Sequence, residues 1–159
     1  RPSVRLVTVT GPGGIGKTRL LKEIIEQCGR LQDVTASNYL IDAYHLLCHL
    51  PEEMADAIYD SLGPLDEPFR IYERDARVLQ NIRLSGETVQ IEAQIEQALR
   101  SFVQDLQVLI EKSQKRLVIV LDTLERFVYG AEKTLPESLS SAEAWNWLTR
   151  QLKKLPNVN

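Results

Sequence analysis

The chain has 159 residues, about one domain's length, with 43% hydrophobic and 26% charged residues, a balance that supports a buried core and excludes disordered or collagen-like classes. The 19 Lys and Arg against 22 Asp and Glu leave a net charge of −3, so no overall positive field draws the chain onto nucleic-acid phosphates or anionic lipid. Two cysteines, Cys28 and Cys48, cannot build a disulfide framework and point to a reducing, cytoplasmic setting; no apolar run approaches the roughly 20 residues of a membrane span, and a start at Arg1 leaves room for a removed leader.

In chain order, Val4, Leu6, Val7 and Val9, with Thr8 and Thr10 among them, make a β-branched and apolar run that stops at Gly11, which predicts a short, buried first strand. Leu20, Leu21, Ile24, Ile25 and Cys28 follow at helical spacing, with Gly29 as a C-terminal stop. A second strand is expected over Tyr39 to Ala43. Pro51 suits a first helical position, Glu52 and Glu53 suit a first turn, and Met54, Ala55, Ile58, Tyr59 and Leu62 share a face before Gly63. Gly63 to Pro68 reads as a loop, and Ile71 to Ile82 as a helix crowded with charge. Ser85 and Gly86 are expected to open a long helix carrying Ile91, Ile95, Ala98, Leu99, Phe102, Leu106 and Leu109 on one stripe. Leu117 to Leu121 is an unbroken apolar run ending at Asp122, which suits a third strand buried on both faces. Ser140 and Glu143 form a capping-box pattern ahead of Trp145, Leu148 and Leu152, and Pro156 ends that helix. Strands alternating with helices predict an α/β fold with a mostly parallel sheet.

The chemistry sits in Gly11, Pro12, Gly13, Gly14, Ile15, Gly16, Lys17 and Thr18, which satisfy G-x-x-x-x-G-K-[ST] between an expected strand and an expected helix. Glycines permit positive φ, so successive N–H groups can face inward as an anion nest at a helix N-terminus. A lysine then supplies a mobile charge to β- and γ-phosphates, and the Thr18 hydroxyl is placed for Mg²⁺. A plain glycine turn would have no use for the Lys-Thr pair. The nucleotide-binding set is therefore Gly11 through Thr18 together with Arg19.

Such a site needs a carboxylate at the end of a neighbouring strand. Asp122, directly after Leu117 to Leu121, fills that position, at the edge where ligands collect in open α/β sheets. Glu125 lies three residues on, where a helical turn would put both carboxylates on one face, and it is a candidate to orient or activate water. The competing reading of Glu125 is a surface partner of Arg126.

The Gly-Pro-Gly-Gly-Ile-Gly-Lys-Thr spelling, Leu117 to Glu125, and the helical stretch between them resemble the signal-transducing STAND class of P-loop ATPases, allied to AAA+ ATPases. The resemblance implies a three-layer P-loop NTPase fold over a single domain, 1–159. It implies phosphate binding by Gly13, Gly14, Gly16, Lys17 and Thr18, magnesium at Thr18 and Asp122, and catalysis by Lys17 and Glu125. The cofactors it implies are ATP or ADP and Mg²⁺, and the function is a nucleotide-controlled switch whose partners are other domains of the same protein, protein partners or copies of itself. AAA+ ATPases commonly place a catalytic glutamate directly after the metal-site aspartate; here Thr123 stands there, so hydrolysis is expected to be slow. They also insert a further strand between the first and third, so the chain is expected to be an incomplete N-terminal portion of its domain.

Other patterns carry less. Leu84, Ser85 and Gly86 start an ABC-type signature that Glu87 and Thr88 break. Asp60 to Gly63 spells D-x-x-G, but no N-K-x-D accompanies it, which favours adenine over guanine. His45, Cys48 and His49 are too few for a metal centre. Trp145 is expected in the core, and Trp147 on another face. Two alternatives use the same loop and aspartate: a small-molecule or nucleoside kinase with its acceptor region in 61–86, and an AAA+-like nucleic-acid remodelling ATPase, which the net charge disfavours.

Overall fold

The computed structural model describes residues 7, 9–43, 49–63, 69–86, 89–113, 115–123 and 142–154. Its elements are α1 (Lys17–Gly29), β1 (Val34–Ala36), β2 (Ile41–Asp42), α2 (Pro51–Leu62), α3 (Arg70–Ser85), α4 (Ile91–Ser113), β3 (Arg116–Val118), β4 (Leu121–Asp122) and α5 (Ala142–Lys154). Two compact units share them: Arg1–Gly63 with Gln114–Asn159, and Pro64–Ser113.

In the first unit the strands pair in parallel, β1 with β3 and β2 with β4, as an α/β architecture requires. The registers are Val34↔Arg116 through Ala36↔Val118, then Ile41↔Leu121 and Asp42↔Asp122. The run at 117–121 is thus two short strands instead of one. Residues 37–40 separate β1 from β2, whereas only Ile119 and Val120 separate β3 from β4, so the longer side must bow out. Asn38 leaves the ladder to donate its N–H to the Ser61 carbonyl of α2 at 2.6 Å. The fully buried Ser37 fills the gap: its N–H donates to Val118 O at 2.9 Å, and its hydroxyl accepts from the Val120 N–H at 3.3 Å. Val120 is buried, while Leu117, Val118, Ile119 and Leu121 are only half-buried, short of the doubly covered strand expected.

The expected second strand shortens to β2, and β1, which no pattern announces, precedes it. Of the expected first strand, Val7 and Val9 are described and neither is in a strand; Val4, Leu6 and Thr8 lie outside the described residues. Helix α2 keeps its expected bounds. Pro51 starts it, Glu53 accepts from the Leu50 N–H at 3.3 Å, and Gly63 closes it at φ 71. Met54, Ala55, Ile58 and Leu62 are buried and face α5, which contributes buried Ala144 and Leu148. Trp145, expected in the core, is half-buried because Ala144 and Leu148 hold the inward face. Ser140 and Pro156 lie outside the described residues.

The second unit is a helical hairpin of α3 against α4. Phe69, Tyr72 and Phe102 form its aromatic centre, with ring centroids 5.2–6.4 Å apart, and Leu79, Ala98, Leu106 and Leu109 complete the buried set. Ser85 and Gly86 close α3 and do not open α4: Gly86 takes φ 76, the left-handed C-cap that glycine adopts without a Cβ penalty. Two buried aspartates bind the helices. Asp105 accepts N–H groups of Ile71 and Tyr72 at 3.0 and 2.9 Å in the first turn of α3. Asp75 accepts from Ser101 and Gln97 of α4 at 2.6 and 3.1 Å and pairs with Arg74 at 2.8 Å.

Candidate phosphate and metal site

The loop from Gly11 enters α1 at Gly16, which occupies the N-cap with φ 96. Gly14 has φ 78. A Cβ at either position would meet nothing within 4 Å, so the demand for glycine there is conformational and not steric. Helix α1 begins at Lys17, earlier than the apolar spacing from Leu20 suggests, so the motif's last two residues form its first turn. It has neither a side-chain N-cap nor an acidic residue in that turn. Its leading N–H groups and the positive end of its dipole are therefore not neutralised from within the helix. No residue of α1 is buried, and Leu20, expected on the inner stripe, is exposed.

The Lys17 ammonium folds back to donate to the carbonyls of Gly11 at 2.8 Å and Pro12 at 3.1 Å, closing the loop across its own mouth. An open hollow of about 510 Å³ lies over the helix start, lined by Gly14, Gly16, Lys17, Thr18, Arg19 and Lys22. Three of the six are cationic, the complement that a polyphosphate requires. Lys22 stands outside the motif; it follows Thr18 by one helical turn, and that spacing alone places it on the same face.

Thr18 and Asp122 are brought together. The Thr18 hydroxyl donates to Asp122 Oδ2 at 2.7 Å, across 104 positions of sequence. The other oxygen, Oδ1, accepts the Thr123 N–H at 2.9 Å. Thr123 sits at φ 60, the only positive φ of a non-glycine residue among the described residues, and its hydroxyl donates to Asp42 Oδ1 at 2.8 Å. Asp42 and Asp122 are register partners at the carboxyl ends of β2 and β4. A hydroxyl beside a carboxylate is an all-oxygen donor pair, which suits a hard cation such as Mg²⁺.

Glu125 lies outside the described residues, as do His45 and Cys48. His49 is buried, its carbonyl accepting the Ala144 N–H at 3.3 Å, and no cluster of three or more His, Cys, Asp or Glu fit for a metal occurs among the described residues. Asp60 to Gly63 end α2, a position from which D-x-x-G cannot serve as a strand-end switch. No helix among the described residues is long and apolar enough to cross a membrane.

No curated protein and no solved structure matches the chain. The family model described as the AAA ATPase domain matches residues 1–148, a span that takes in the loop, Asp122, most of the first compact unit and all of the second. With the glycine loop, the uncapped helix start and the strand-end carboxylate already in place, this chain belongs to the AAA ATPase domain family, and its function is that of a nucleotide-binding, ATPase-like module.

Proposed function

We propose that the chain binds ATP and ADP at Gly11 through Arg19, with Mg²⁺ held by Thr18 and Asp122, as the nucleotide-controlled switch of a STAND-class regulatory protein. The observation that supports this reading is the 2.7 Å hydrogen bond from Thr18 to Asp122, which joins the two groups proposed to hold magnesium across 104 positions of sequence. The chemistry of such an ion is electrostatic: it offsets charge on β- and γ-phosphate oxygens. The chain's own groups do the rest. Loop N–H groups and the start of α1 face the phosphates, and Lys17 exchanges two carbonyl partners for phosphate oxygens. Arg19 and Lys22 add charge at the rim.

Glu125 is the proposed group that orients the attacking water, and Lys17 the one that follows charge onto the γ-phosphate. Thr123 stands next to Asp122 with its hydroxyl engaged by Asp42 and is no general base, which supports slow turnover and a role as a switch. The kinase alternative needs an acceptor region at 61–86; those residues fall within the AAA ATPase match and supply the end of α2 and all of α3.

Calorimetric titration with ATP and ADP, with Mg²⁺ and with EDTA, tests the binding half. Heat with both nucleotides, and tighter binding with Mg²⁺, is the expected outcome; no heat with any triphosphate overturns it. Solution scattering of the protein in its ATP and ADP states tests the switch, which identical profiles would exclude.

A further inference from the structure

The motif assigns a role to Asp122 but none to the residues around it. Asp42 and Asp122 end neighbouring parallel strands in direct register, so two carboxylates are held side by side. Like charges so placed repel, and each needs its own donor. Thr123 supplies both, its N–H to Asp122 at 2.9 Å and its hydroxyl to Asp42 at 2.8 Å. To do so it adopts φ 60, a strained conformation for a β-branched residue, which keeps it only where its surroundings impose it. Asp42 holds its hydroxyl end. The Ala43 N–H on the Asp122 carbonyl at 3.1 Å keeps the two strand ends in step.

From this geometry, and resting on the proposed magnesium site, we infer that Asp42 is a positioning residue for that site. By anchoring the Thr123 hydroxyl it fixes Thr123 in the left-handed conformation. With the hydroxyl anchored and φ fixed, the Thr123 Cα and the 122–123 peptide plane that ends on it are held in place, so the amide in that plane stays on Asp122 Oδ1 and Oδ2 is left turned toward Thr18. Asp42 acts through Thr123 and needs no contact with nucleotide or metal. Groups that orient a ligand in this way typically contribute about 10–100-fold to metal affinity.

The test is the magnesium enhancement of ADP binding, the ratio of affinities in Mg²⁺ and in EDTA, measured by calorimetry on the wild type and four variants. Thr123→Val removes the hydroxyl at constant shape, and Asp42→Ala removes its acceptor. Both are expected to lose about ten-fold or more of the enhancement while binding ADP in EDTA like the wild type. Thr123→Ser and Asp42→Asn retain donor and acceptor and are expected to keep it, which a need for bulk or charge at either position would not allow. Thr123→Val stands alone as the test should Asp42→Ala fail to fold. Full enhancement in Thr123→Val overturns this inference and leaves the magnesium site standing. A wild type silent to ADP in both media removes the site and this inference together.

Discussion

The loop that opens α1 and the hairpin of α3 and α4 use the same kinds of residue for opposite ends. Helix α1 buries nothing, its cations line an open hollow, and its side-chain hydrogen bond to a distant strand is one hydroxyl on one carboxylate. The hairpin turns three aromatic rings inward and surrounds Asp75 and Asp105 with hydrogen-bond donors from its own two helices. Cations in the first region line open space; the two buried carboxylates in the second are consumed by the fold. Damage to the hairpin should therefore read out as stability, and damage to the loop as binding.

The largest effect is expected in the hairpin. Phe102 is fully buried and meets both other rings, so Phe102→Ala should cost about 3–5 kcal/mol in urea unfolding; a change below about 1 kcal/mol would mean that the ring cluster does not form the centre of that unit. In the loop, Lys17→Ala should weaken ATP binding about 100-fold, the worth of charge-assisted bonds of about 1.5–3 kcal/mol. Because α1 buries no residue, the urea midpoint should stay near the wild type. A variant that loses stability and keeps its affinity would reverse the comparison.

Ser37 lies between these extremes, a buried hydroxyl that serves the ladder, accepting from Val120 where residues 37–40 bow away. Ser37→Ala leaves that N–H unsatisfied and should cost about 1–3 kcal/mol, read from the same urea curves, with nucleotide affinity unchanged. A neutral result would show that water replaces the hydroxyl.

Such features mark where the sequence was legible. Pro51, Glu53 and Gly63 delimit α2 by local chemistry alone, and the loop motif declares its turn, its helix start and its lysine without tertiary help. Of the stripe on α4, Ala98, Phe102, Leu106 and Leu109 are buried as their spacing requires, while Ile91, Ile95 and Leu99 are half-buried. Strand β1 was invisible because Val34–Ala36 is three residues long and exists through its pairing with β3. Ser85 offered a helix cap by residue type, yet Gly86 in the left-handed region decided the sense, and a helix stop and a helix start look alike when both contain serine and glycine. In the site, Thr18 and Asp122 each carry a pattern, whereas Asp42 and Thr123 carry none. Their bond spans 81 positions and depends on a register that only the folded strands set.

The smallest expected effect separates the hairpin's two aspartates. Burial pushes the Asp105 carboxyl above its ordinary value, against the N–H groups of Tyr72 and Ile71 that lower it, with Asp75 and Glu73 adding to the rise. Asp75 moves the other way, lowered first by its bond to Arg74. A raised native value means that the folded hairpin holds the Asp105 proton more tightly than the unfolded chain does. Stability from this group is present at acid pH and falls as pH rises through the ordinary carboxylate value toward the raised one. Asp75 opposes it, losing its contribution as pH falls below the ordinary value. Asp105→Asn keeps an oxygen for both N–H groups and removes the titration. Its urea midpoint, followed from about pH 3 to 6 across the ordinary carboxylate range, should therefore gain on the wild type as pH rises. A wild type that gains on the variant over that range would show the Asp105 carboxylate to be stabilised by its two amides more than burial penalises it, and the hairpin's charges would then resemble those of the loop.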